Sequence, residues 1–77
     1  MDDKYQKLNE RIYYNCKLYY NKYSQLTQMT EEQRGILGGL YQALNIVANE
    51  YVINIGYEHR KYRRLVTNME RLLGIGN

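Results

Sequence analysis

Thr30–Ile55 reads TEEQRGILGGLYQALNIVANEYVINI and holds most of the apolar surface of the chain. Thr30 followed three residues later by Gln33 is a capping box, in which each side chain satisfies the other residue's backbone N–H at a helix start. Glu31 and Glu32 fill the first turn, where the positive end of the helix dipole favours carboxylates. Beyond them Leu37, Tyr41, Leu44, Ala48, Tyr51 and Ile55 recur in alternating helical steps, widened by Leu40 and Val47. This spacing predicts a helix over 31–55. A second, narrower face carries Gly35, Gly39, Ile46 and Ile53, with Ala43 at its border. Gly35, Gly38 and Gly39 each weaken an isolated helix by about 1 kcal/mol relative to Ala, so this face is expected to receive another backbone at close range.

Upstream, Asp3 and Gln6 form a capping pattern for a first helix over about 4–27. Tyr5, Leu8, Ile12, Cys16, Tyr19, Tyr23 and Leu26 fall within an arc of about 80° at 100° per residue. Tyr13 and Tyr20 flank that stripe. Thr27–Thr30 gives a short connection, enough for an antiparallel turn. Downstream, Tyr62, Leu65, Val66, Met69, Leu72 and Leu73 share one face of a third helix over 57–73, which Gly74 and Gly76 stop. The apolar phase of the second helix runs through Gly56 into the third without a slip, and one glycine does not break a helix. Residues 31–73 therefore also fit a single helix of about 65 Å. The expected fold is all-α and one domain over 1–77. It is either a three-helix bundle or an antiparallel hairpin of long helices that needs a second chain. A homodimer is the expected assembly, with Gly35, Gly39, Ile46 and Ile53 as its interface in the hairpin case.

Composition narrows the function. Seventy-seven residues are close to the lower limit for a self-sufficient core, with an expected stability of about 4–11 kcal/mol. The chain has ten Tyr but neither Phe nor Trp, so every ring brings a hydroxyl that needs water or a partner. Such rings suit half-buried positions and interfaces. A single cysteine, Cys16, allows no internal disulfide, and MDDKYQK lacks the apolar run of a secretory leader. A soluble, cytoplasmic protein is expected, with no membrane association.

Catalytic chemistry has little to work with. Cys16 and His59 are single copies on different predicted helices, and Cys16 lies within the apolar stripe. Glu31 and Glu32 are explained by capping. Neither metal-ligand spacing nor a phosphate-binding glycine loop is present. The expectation is a non-enzyme with no cofactor, no metal and no small-molecule substrate. Two surfaces stand out instead. Arg60, Lys61, Arg63, Arg64 and Arg71 form a basic set on the third helix that suits phosphates or an acidic protein surface. Tyr14 and Leu18 point away from the first helix's apolar stripe, near Arg11, in the make-up of a protein-binding hot spot.

Over Thr30–Val47 the pattern T-E-E-Q-x-G-x-x-x-G-L-x-x-A-L-x-I-V resembles the opening of small helical accessory proteins of phages and mobile elements of low-GC Gram-positive bacteria. The resemblance implies a protein of the host bacterial cytoplasm that binds and inhibits or modulates a host or defence factor, with CRISPR nucleases among the targets. Two alternatives stand beside it. One is a small nucleic-acid-binding regulator that uses the arginine face, and the other is a structural helical oligomer.

Overall fold

The computed structural model describes residues 3–50 and 60–75. Three helices follow one another: α1 (Asp3–Tyr23), α2 (Glu31–Glu50) and α3 (Arg60–Leu73). The fold is a small all-α bundle. α2 packs closely against both neighbours, whereas α1 and α3 approach each other over a much smaller contact.

The capping box closes as expected. The Thr30 N–H donates to Gln33 Oε1 at 2.9 Å, and the Gln33 N–H donates to Thr30 Oγ1 at 3.1 Å. At the far end of the bundle Gly74 takes a φ of 75°. Its N–H donates to Arg71 O, and the Ile75 N–H donates to Glu70 O at 2.9 Å. This reciprocal pair is a Schellman ending, and the left-handed glycine makes it strain-free.

The first helix ends earlier than its apolar spacing suggests. α1 stops at Tyr23 rather than near 27, and Leu26 is exposed. Ser24 accounts for part of this. Its hydroxyl donates to Asn21 O at 3.2 Å, a local bond that competes with helix propagation. The Leu26 N–H then turns back to Tyr23 O at 3.1 Å.

α3 does not extend α2 but folds back along it. Arg34 near the start of α2 donates to Leu73 O at the end of α3, and Tyr41 donates to Glu70 Oε2 at 2.7 Å. Arg63 near the start of α3 donates to Asn49 Oδ1 at 3.1 Å, late in α2. Positions rise along one helix as they fall along the other, so the two are antiparallel. A continuous helix over 31–73 is therefore excluded, although Gly56 itself lies outside the described residues.

Folding back gives α1 two helices to cover. Cys16 and Tyr23 are buried as the spacing predicts, but Tyr13 is buried as well and Leu8 is exposed. The core face is thus turned towards Tyr13, whose ring centroid lies 4.9 Å from that of Tyr62 on α3. Leu37, Leu44, Val47 and Ala48 of α2 join Tyr62, Leu65, Val66, Met69 and Leu73 of α3 in the same core.

Among the described residues the glycine face of α2 has no partner. A Cβ added at Gly35, Gly38 or Gly39 would meet nothing within 4 Å. Ile46 on that face is 67% exposed. The expected close approach is absent among the described residues, because α1 and α3 both pack on the Leu37–Leu44–Ala48 side. Ile53 lies outside the described residues.

Candidate functional site

The looser seam between α1 and α3 opens into a groove of about 250 Å³. α1 contributes Tyr13, Lys17, Tyr20 and Asn21 to its lining, and α3 contributes Lys61, Arg64, Leu65 and Asn68. Helical spacing produces this set. Tyr13, Lys17 and Asn21 follow each other at i, i+4, as do Lys61, Leu65 and, one residue short, Asn68. Among the described residues three cations line the groove and no carboxylate does. Among the described residues neither Lys17 nor Arg64 has an ion-pair or hydrogen-bond partner.

Lys61 is the best-placed charge. Its ammonium lies 4.8 Å from the Tyr13 ring centroid, 5.5 Å from that of Tyr62 and 5.9 Å from that of Tyr14. Each contact at this range is worth about 0.5–1 kcal/mol at an exposed site. Three rings thus hold one cation at the mouth of the seam, and among the described residues no anion pairs with it.

The basic residues singled out from sequence divide between distinct locations. Lys61 and Arg64 line the groove. Arg63 lies at the opposite seam, bonded to Asn49. Arg60 and Arg71 are exposed on α3 outside the groove lining. On α1, Tyr14 and Leu18 are 59% and 61% exposed, and Arg11 is exposed beside them. Tyr14 packs edge-on against Tyr13, with centroids 5.4 Å apart, so this apolar patch adjoins the groove directly.

Lys17, Tyr13, Tyr20, Asn21 and Asn68 do not stand out in the sequence. A usable signal was present, since Lys17 sits one turn from both Tyr13 and Asn21, but it becomes a site only once α3 is known to fold back.

Charge is segregated across the bundle. α1 carries five basic residues against two acidic ones, and α3 carries five against one. α2 carries three acidic residues and one basic. The α1–α3 side is therefore the positive side.

Cys16 is fully buried and donates to Leu40 O at 3.3 Å. Burial pushes its thiol up to about 11. A thiol held protonated in this way is a packing group rather than a nucleophile. His59 lies outside the described residues. Among the described residues no group of His, Cys, Asp and Glu could hold a metal ion, and no helix is long and apolar enough to cross a membrane.

The arrangement offers fixed positive charge, amide donors and phenol rings at one seam, with an exposed apolar patch alongside. That is recognition chemistry. No family model, curated protein or solved structure matches this chain.

Proposed function

We propose that this chain is a non-enzymatic binding protein that acts by occupying the surface of a protein partner through its α1–α3 side. The observation that carries the reading is the exposed pair Tyr14 and Leu18, which stand beside Arg11, with the Tyr14 ring 5.9 Å from the Lys61 ammonium. An aromatic ring, an aliphatic side chain and a guanidinium in one patch are typical of the few residues that dominate protein interfaces. The resemblance to phage and mobile-element accessory proteins supplies a context, in which the partner is a host or defence factor and binding disables it. Leu18→Ser is expected to weaken the complex by about tenfold or more while leaving helicity intact. Isothermal titration of the purified partner, identified by crosslinking from host lysate, would measure this, with circular dichroism as the folding control. Unchanged affinity in a folded Leu18→Ser variant removes the reading.

A nucleic-acid reading is favoured by one observation, the gathering of Lys17, Lys61 and Arg64 in one groove beside tyrosine rings. Positive grooves with aromatic platforms suit single strands. In that case affinity for a random-sequence oligonucleotide would fall steeply with salt, because each neutralised phosphate releases counterions.

A further inference from the structure

We infer that the α1–α3 groove receives the carboxylates of an acidic segment of the partner protein, with an apolar side chain of the same segment lying across Tyr14 and Leu18. This inference rests on the protein-binding reading and specifies the partner's chemistry. Charge complementarity identifies the occupant. Lys17, Lys61 and Arg64 converge on one opening without a carboxylate among its described lining residues, and Lys61 is already positioned by three rings. Ordering that cation costs the incoming ligand little, since its side chain is held before binding. The size of the opening argues for a piece of a larger partner. At about 250 Å³ it falls just below the range of roughly 300–1,000 Å³ that usually encloses a whole small molecule.

The apolar patch decides between an acidic protein segment and a nucleic-acid backbone. Leu18 is 61% exposed one helical turn from Tyr14, whose ring centroid lies 5.9 Å from the Lys61 ammonium, so a segment that runs from Lys61 across Tyr14 meets an aliphatic side chain. A phosphodiester chain has no use for leucine. A peptide that alternates acidic and apolar residues uses both. The acidic α2 adds to the discrimination, because Glu31 and Glu32 are exposed and repel a long polyanion that wraps beyond the groove.

The test uses the full chain and three fluorescent probes of equal charge: an Asp/Glu peptide with a central Leu pair, the same peptide with Gly in place of Leu, and an oligothymidylate. Anisotropy titration at moderate salt is expected to rank them in that order, with the Leu peptide about tenfold tighter than the Gly peptide. The Lys17→Glu/Arg64→Glu double variant is expected to lose binding of the Leu peptide by about a hundredfold, and Leu18→Ser by about tenfold. Both substitutions are on exposed positions, and circular dichroism verifies the fold. Tighter binding of the oligothymidylate overturns the inference in favour of nucleic acid. Unaltered peptide affinity in the charge-reversed variant overturns it as well. If the partner complex then still depends on Leu18, the protein-binding reading survives without the acidic segment; if it depends on neither substitution, both fall.

Discussion

The two seams that α3 makes with its neighbours are built differently. Against α2 it is closed: Arg34 reaches Leu73 O, Tyr41 reaches Glu70 and Asn49 meets Arg63, so polar groups along the length of the seam are paired. Against α1 it is open: Lys17 and Arg64 have no partner among the described residues, and a groove separates the helices. The net charges explain the contrast. α2 is acidic and sits between two basic helices, so it attracts both, while α1 and α3 repel each other where they meet. The closed seam serves stability. The open one leaves exposed the charge that the proposed partner would meet.

Breaking the core that both seams share should have the largest effect. Met69 is fully buried in it, and Met69→Ala is expected to cost about 2–5 kcal/mol, enough to unfold much of a chain this small. Urea denaturation followed by circular dichroism measures it. At the closed seam alone, Tyr41→Phe removes the donor to Glu70 and should cost about 1 kcal/mol in the same assay. Gly39→Ala should act in the opposite sense. With nothing within 4 Å of the added methyl, the variant gains up to about 1 kcal/mol of helix propensity. A loss instead, together with a dimer mass in light scattering that the variant abolishes, would show that a second copy covers this face.

Titration offers a smaller effect at the α1–α2 contact. Cys16 loses its proton near 9.0 when unfolded and near about 11 when buried, so the folded state keeps a proton that the unfolded chain releases. Its contribution is fully present below pH 9 and declines as pH rises towards 11. Tyr41, raised by its hydrogen bond to Glu70, acts in the same direction. Stability of Cys16→Ala is expected to depend less steeply on pH across that window, read from urea midpoints at successive pH values. The smallest change is expected at the open seam, where Lys17→Gln and Arg64→Gln should each shift stability by no more than about 0.5 kcal/mol. A large loss there would mean that the groove cations are structural.

Much of this architecture is legible before any coordinates. Thr30, Gln33, Glu31 and Glu32 announce the start of α2 because capping is local chemistry, and Gly74 announces the end of α3 for the same reason. The stripe through Leu37, Leu44 and Ala48 marks the core face of α2 because burial follows helical period. The direction of α3 is not legible. Its apolar phase continues that of α2, and phase says which face is buried without saying whether the covering helix belongs to the same chain. The groove is hidden for a related reason: Lys17 lies on α1 and Lys61 and Arg64 on α3, and only the fold-back brings them to one opening. Arg63 shows the converse, since it neighbours Arg64 in sequence yet serves the other seam.

The tyrosine cluster around Lys61 has an optical consequence. With ten Tyr and no Trp, all ultraviolet emission of the chain comes from phenol rings. Tyr13, Tyr14 and Tyr62 share one ammonium as neighbour, at the mouth of the opening into which a ligand would come. A carboxylate that binds Lys61 where it sits over those rings changes their surroundings, and so the intensity and shape of the emission. The protein thus holds an unlabelled reporter at the seam proposed to bind its partner.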